Sequence, residues 1–333
     1  MLSLLLAARG IRATLQETLI TTGSQQALDL CARIFIDPGD VVVVERPTYT
    51  GAMTAFANAQ ARLAGVAQDT EGIDLDDLDR VAVRERRAGR RLAFVYVVPN
   101  FQNPTGLLMS PVRRAGLLEW ARRNHVLIVE DDPYGALYFD DRATAEGTRP
   151  LKADDDEGHV IYLSGFSKIV APGFRVAWIA APAEIASKLE VAKQSADLCT
   201  GALDQRFVYE VWTRGILERR LPALRARYRQ KCEVVEEALR RELGGLVSWP
   251  APRGGFFLWA SFPDRLNTDA LLPRAVARGV LYVPGSAFYV GHAADNRARL
   301  SFSAASPERL VTGIQRLALA VREELASTTA SEP

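Results

Sequence analysis

The 333 residues carry 41 Lys and Arg against 40 Asp and Glu, a formal charge of +1, and 48% of them are hydrophobic. That is the composition of an ordinary globular protein with enough chain for a large core and a second, smaller domain. It gives no electrostatic ground for nucleic acid or an acidic membrane as a partner, and three widely spaced cysteines, Cys31, Cys199 and Cys232, show no metal spacing and fit reduced thiols of a cytoplasmic protein.

The opening run, Met1-Leu-Ser-Leu-Leu-Leu-Ala-Ala-Arg9, has its charge after the apolar stretch and is too short to span a bilayer. It reads as a buried helix end rather than a signal peptide, and no other segment qualifies as transmembrane. Thr21-Thr-Gly-Ser-Gln-Gln-Ala27 then opens a helix predicted over 24–35. Gly23 frees the turn and Ser24 suits the N-cap. First-turn amides with the positive end of the helix dipole make a phosphate cradle, although a plain capped helix has the same signature. A β-branched strand over 41–44 leads to Glu45-Arg-Pro-Thr-Tyr49, where Tyr49 could stack on a flat ring or simply fill the core. The basic block at 84–91 reads as a solvated helix face, as does that at 219–229.

Four more apolar runs follow, at 92–98, 126–129, 160–163 and 176–180, with helices predicted over 111–124 and 182–194. The runs are apolar continuously rather than alternately, as in a sheet covered on both faces, and strands alternating with helices imply a parallel α/β sheet. In such sheets ligands bind beyond the carboxyl ends of the strands, and that is where the polar residues gather. Asn103 follows one strand, within Asn100-Phe-Gln-Asn-Pro-Thr-Gly106, and could donate to a phenolate oxygen or only shape an Asn-Pro turn. Asp131 follows another, within Glu130-Asp-Asp-Pro-Tyr134; its carboxylate could keep a pyridine nitrogen protonated, with Asp132 as the competing candidate and a turn role open to either. Tyr134 could reach the same oxygen as Asn103.

Lys168 follows a third strand, in His159-Val-Ile-Tyr-Leu-Ser-Gly-Phe-Ser-Lys168. A lysine just past a buried strand is costly unless it has a task, and a Schiff base with a carbonyl cofactor is one that suits it. Arg175, seven residues on, offers a guanidinium to a phosphate dianion. A long charged amphipathic helix is predicted over 221–243, then strands over 255–259, 280–283 and 298–302, a last helix over 307–325, and a polar, frayed tail from 327. Arg299 lies among apolar residues and needs an anion, either a substrate carboxylate or an internal ion pair. Phe256, Trp259 and Tyr289 hint at a roomy apolar pocket, or at core packing.

Taken in order, these motifs resemble the pyridoxal-phosphate-dependent aminotransferases of fold type I, class I/II, nearest to the branch with 2-aminoadipate and kynurenine aminotransferases. The runs that carry the resemblance are Thr22-Gly-Ser-Gln-Gln26, Glu45 to Tyr49, Asn100 to Gly106, Glu130 to Tyr134, Gly165-Phe-Ser-Lys168, Ala171-Pro-Gly-Phe-Arg175, Gly254-Gly-Phe-Phe-Leu-Trp259, Val283-Pro-Gly-Ser-Ala-Phe288 and Arg299-Leu-Ser-Phe-Ser303. Singly each is weak; together they span nearly the whole chain.

The resemblance implies an α/β fold, with a large pyridoxal-phosphate domain over 1–215 around a mainly parallel sheet, and a connecting helix with a small α+β domain over 216–328. It implies amino transfer from an α-amino acid to a 2-oxo acid through Lys168 as the Schiff-base lysine. Ser24, Gln25, Ser167 and Arg175 would hold the phosphate of pyridoxal 5'-phosphate. Tyr49 would cover one ring face, Asn103 and Tyr134 would bind the phenolic oxygen, Asp131 the ring nitrogen, and Arg299 the substrate α-carboxylate. A homodimer is implied as well.

Two departures stand out. Many relatives have Ser or Thr three places before the lysine, where this chain has Gly165 with Ser164 one place earlier, so a phosphate contact is expected to be lost or shifted. The family's N-terminal arm, small-domain strand and glycine-bearing loop are not found before Thr21. An incomplete small domain with a weaker dimer or lid is expected, or a coding start placed too late. Competing functions are a lyase or decarboxylase on the same scaffold, a non-catalytic effector sensor like that of winged-helix regulators, and a protein with a decayed site.

Overall fold

A computed structural model of the chain describes residues 1–291 and 296–330. Its central feature is an eight-stranded sheet. Across it the strands run Thr18–Thr21, Ala177–Ala180, Val160–Gly165, Leu127–Asp131, Leu92–Val97, Val41–Arg46, Arg62–Asp69 and Gly72–Ile73. The five from Val160–Gly165 to Arg62–Asp69 are parallel. Ala177–Ala180 joins that block antiparallel, and the Thr18–Thr21 and Gly72–Ile73 edges are antiparallel too.

Continuous apolar strands are what a doubly covered sheet requires, and the side-chain alternation sorts them cleanly. Val42, Val44, Phe94 and Tyr96 face one core with Leu28 of the helix Ser24–Phe35 and Phe56 of the helix Thr50–Asn58. Val41, Val43, Val95 and Val97 face the other, with Leu78 of Leu75–Arg87 and Leu117 and Trp120 of Pro111–Asn124. The helices are closed by local chemistry. Asp74 accepts from the amide of Asp77, and Ser110 from that of Arg113 with Pro111 in the first turn. His125 ends the latter helix in the left-handed region at φ 53°.

The last third of the chain begins with a 28-residue helix, Ile216–Leu243, which starts ahead of the predicted position because Gly215 takes φ 64° and breaks it from Ala202–Thr213. A three-stranded antiparallel sheet follows, ordered Val283–Pro284, Arg297–Ser301, Phe257–Ser261. The helices Ile216–Leu243 and Pro307–Ala330 pack together, and Leu317, Val321, Leu258 and Val235 share one core with the larger sheet's first face.

Several expectations shift. The strand predicted over 126–129 runs Leu127–Asp131, carrying Glu130 and Asp131 inside the sheet. Of the strand predicted over 280–283, only Val283 pairs, together with Pro284; Leu281 lies 81% exposed. The final helix continues to Ala330 instead of fraying from 327, and the rest of the expected tail, 331–333, lies outside the described residues. The opening residues do form a short helix, Leu2–Ala8, with Leu6 buried. Among the described residues no helix is long and apolar enough to cross a membrane, and no cluster of His, Cys, Asp and Glu could hold a metal ion. All three cysteines are free, Cys31 and Cys232 being buried.

Candidate active site

All ten residues singled out in the sequence line one cavity of about 290 Å³ at the carboxyl ends of the parallel strands: Ser24, Gln25, Tyr49, Asn103, Asp131, Tyr134, Ser167, Lys168, Arg175 and Arg299. They come from the first turn of Ser24–Phe35, from the end of the strand Leu127–Asp131, from loops after four strands, and from the middle of Arg297–Ser301. Only folding brings them together.

One end of the cavity is cationic. Gly23, not Ser24, is the N-cap of the first helix; its φ of 82° bends the chain so that Ser24 begins the helical turn. A Cβ on Gly23 would lie 2.1 Å from Arg175 Nη2, so only glycine lets the guanidinium approach. Arg175 itself is left-handed at φ 50° and donates to Ser167 Oγ at 3.2 Å. Helix amides, two hydroxyls and a guanidinium form a site suited to a phosphate dianion. Ser164 takes no part: its hydroxyl donates to the backbone oxygen of Asp132 at 2.8 Å. Gly165 has no room for a side chain, since a Cβ would meet that of Ala177 at 2.9 Å. Neither position therefore offers a hydroxyl to the cavity.

The floor of the cavity separates the two aspartates by strand alternation. Asp132 is saturated: it accepts from Arg9 (2.9 Å), Asn100 (2.9 Å), Tyr162 (3.0 Å) and the Gly135 amide (2.9 Å), and lines no part of the cavity. Asp131 accepts from Tyr96 alone, Oη to Oδ2 at 3.0 Å, among the described residues, while its Oδ1 is buried with no partner. Burial pushes the Asp131 carboxyl up to about 7, helped by Asp132 and opposed by the Tyr96 hydroxyl and Lys168. A buried acceptor left open beside a cavity asks for a donor, and a protonated ring nitrogen is a donor of the right charge. Of the two aspartates, only Asp131 lines the cavity with an acceptor to spare.

Lys168 sits three residues past the strand Val160–Gly165, in the turn closed by Val170 N to Phe166 O at 2.8 Å. Its ammonium is destabilised first by burial, then by Arg175 and Arg299, with Asp131 acting the other way; the net shift is downward. A lysine held between two guanidiniums is a readier nucleophile and base than one in water.

Tyr134 is fixed edge-on to Phe256 and Phe257, and lines the cavity together with Asn103. The Asn103 loop is tied to the strand Val41–Arg46 and the turn after it: Gln102 donates to Glu45 at 3.2 Å and to the Pro47 carbonyl at 2.8 Å. Arg299 donates to Asn103 Oδ1 at 2.7 Å and lies between the rings of Phe257 and Phe288, 4.4 and 4.9 Å from their centroids. Its Nε is buried without a partner, and among the described residues it meets no carboxylate. An internal ion pair does not account for it; an incoming anion would.

Two groups escape sequence reasoning. Tyr96 lies within an apolar run, where its hydroxyl gives no signal. The phenylalanine that lines the cavity is Phe257; Phe256, Trp259 and Tyr289 do not line it. Phe256 packs on Tyr134 and Tyr228, and Trp259 on Phe288.

The observations fit a planar, cationic ring bearing a phosphate. The orphan Asp131 Oδ1 could accept from its nitrogen, the Gly23–Arg175 cradle could take its phosphate, and Lys168, its pKa lowered, could meet its carbonyl. Comparison with known proteins points the same way. The profile of aminotransferase class I and II matches residues 4–317. Aromatic-amino-acid aminotransferase 1 of Thermococcus litoralis is 42% identical over 309 residues, covering 93% of this chain and 73% of that one. The 2-aminoadipate transaminase of Thermus thermophilus is 40% identical over 311 residues, 93% of this chain and 77% of its own. The crystal structure of the α-aminoadipate aminotransferase of Thermus thermophilus, complexed with N-(5'-phosphopyridoxyl)-L-leucine, superposes with a TM-score of 0.90 at 38% identity. That match covers 98% of this chain and 81% of that one.

Proposed function

The chain belongs to the aminotransferase class I and II family, and from that premise we propose how its own residues carry the reaction. It is a pyridoxal-phosphate-dependent enzyme that moves an amino group from an α-amino acid to a 2-oxo acid. The cofactor supplies a carbonyl that condenses with amines and a ring that withdraws electrons from the carbon bearing the amino group. Ser24, Gln25, Ser167 and Arg175 hold its phosphate. Tyr49 covers one face of the ring, and Asn103 with Tyr134 orients its phenolic oxygen. Asp131 keeps the ring nitrogen protonated. Arg299, pinned by Asn103 and two rings, takes the substrate's α-carboxylate and so turns its Cα toward Lys168. Lys168 would hold the cofactor through Nζ and would be the base that moves the Cα proton.

The observation that carries this reading is the convergence of Lys168, the unpaired Asp131 Oδ1 and the Gly23–Arg175 cradle on one cavity. It is tested by adding pyridoxal phosphate to purified protein and titrating with aromatic, aliphatic and acidic amino acids. The visible band of the bound cofactor is expected to form, then to fall with the amino donor and return on adding its 2-oxo acid acceptor. Ammonia or CO2 release without that return would mark a lyase or decarboxylase.

The working unit is read as a homodimer. The helix Ala202–Thr213 buries Val208 yet turns Leu203, 84% exposed, and Phe207 outward, the latter stacked on Phe174 at 4.3 Å. Leu15, 80% exposed, and Tyr209 border a neighbouring groove. Apolar side chains gathered in this way favour a protein partner. Light scattering at micromolar concentration is expected to give twice the chain mass for the wild type and the chain mass for the double change Leu203→Glu and Phe207→Glu; a monomeric wild type rejects the dimer. The left-handed Gly215 supports a division into a cofactor domain over 1–215 and a second domain over 216–328. Three free thiols support a cytoplasmic setting.

A further inference from the structure

Taking Asp131 as the residue facing the ring nitrogen, as proposed above, we infer that Tyr96 is a positioning residue that decides on which side of that contact the proton rests. The strand Leu92–Val97 pairs in parallel with Leu127–Asp131, Tyr96 lying opposite Val129. Asp131 is two residues further along and so presents its side chain on the same face. The Tyr96 hydroxyl donates to Asp131 Oδ2 at 3.0 Å, which leaves Oδ1 as the oxygen available to the cavity. Tyr96 is fully buried and its ring is held edge-on by Phe56 at 5.5 Å, which in turn meets Phe94 at 5.2 Å. The hydroxyl therefore has one rigid position.

The consequence follows from how few donors Asp131 has. Asp132, on the other face, accepts from a guanidinium, an amide side chain, a phenol and a backbone N–H. The groups around Asp131 are Tyr96, Lys168, Asp132, Tyr49, Tyr134 and Cys31, and among the described residues only Tyr96 hydrogen-bonds to it. Lys168 is its one cationic neighbour there, and that lysine is occupied by the cofactor at rest. A hydrogen bond to the charged form of an acid stabilises that form, and the effect is large where water is absent. With Tyr96 present, the ionised carboxylate wins and the single shared proton lies on the ring nitrogen. Without it, the same proton settles on Oδ1, no other bond changes, and the ring loses its electron demand. The packing that supports Tyr96 thereby becomes part of cofactor activation.

The test reads the ring nitrogen directly. Apoprotein is reconstituted with pyridoxal 5'-phosphate labelled with 15N in the ring, and the nitrogen resonance is recorded for wild type, Tyr96→Phe and Asp131→Asn. The wild type is expected at the protonated position and Tyr96→Phe displaced toward the unprotonated one, with kcat lower by roughly 10- to 100-fold, the range of one charge-assisted hydrogen bond, and the amino-acid KM unchanged. Should Tyr96→Phe fail to fold, 4-aminophenylalanine in place of Tyr96 keeps the shape with a much weaker donor and decides alone: displacement supports the role, and a resonance at the wild-type position overturns it. The control separates two failures. If Asp131→Asn moves the resonance while the changes at Tyr96 do not, Tyr96 is only a packed core residue. If Asp131→Asn does not move it either, Asp131 does not face the ring nitrogen and the site assignment itself fails.

Discussion

Lys168→Ala is expected to lose both the visible band of the bound cofactor and turnover, the latter by at least about 10⁴-fold, since one side chain supplies both the nucleophilic amine and the proton carrier. No neighbour can substitute. The other cations lining the cavity are Arg175 and Arg299, whose guanidiniums neither condense with a carbonyl nor give up a proton at neutral pH. The fold should not suffer. Lys168 is only partly buried, and its ammonium is destabilised by both arginines as well as by burial, so removing it relieves repulsion at the cavity mouth. The expected pattern is thus a protein with wild-type thermal stability that still binds the phosphate end of the cofactor, without the band and without activity. Absorbance, initial rates and a melting curve on the same sample check all three. Full turnover by the variant would reject the assignment of Lys168.

The parts of this site that are legible in the sequence share one property: a polar residue standing where an apolar strand stops. Asn103, Asp131 and Lys168 each follow a continuous apolar run, and position relative to a parallel sheet does the rest. Glycine carries information of the same kind at Gly23, where a Cβ would strike Arg175. What stays hidden lies within the runs. Tyr96 and Tyr162 read as strand aromatics, yet each delivers a hydroxyl to one of the paired aspartates. Only the register, Tyr96 opposite Val129 and Glu130 opposite Tyr162, shows which tyrosine serves which carboxylate. Arg9 reads as the flank of an apolar helix, but it spans 123 residues of sequence to pair with Asp132. The Thr18–Thr21 strand escapes sequence reasoning because it is four residues long, half-buried and antiparallel at the sheet edge. The apolar-run signal marks strands that are covered on both faces, and an edge strand is not.

The adjacent aspartates yield the second large effect, and it separates chemistry from folding. Asp131→Asn is expected to lower kcat by about 10²- to 10⁴-fold, because an amide cannot hold the ring nitrogen protonated. It should not weaken the apoprotein. Burial raises the Asp131 carboxyl to about 7 in the folded chain, against roughly 4 when unfolded. Between those values the folded state binds the extra proton, so this group's contribution to stability declines as pH rises from about 4 and levels off above about 7. The asparagine variant escapes that decline, and its denaturant midpoint should exceed that of the wild type increasingly over the same interval. Asp132→Asn reverses the pattern. It leaves the Arg9 guanidinium facing a neutral amide in a buried network that also holds Asn100, Tyr162 and the Gly135 amide, a loss of about 3–5 kcal/mol by the general cost of breaking a buried pair. The fraction that remains folded should turn over within roughly tenfold of wild type, since Asp132 does not line the cavity and acts on the chemistry only through its neighbours. Urea unfolding of the apoproteins, set beside kcat for the reconstituted enzymes, makes the comparison. A stable Asp132→Asn protein with the greater loss of turnover would show that the two carboxylates have been assigned the wrong way round.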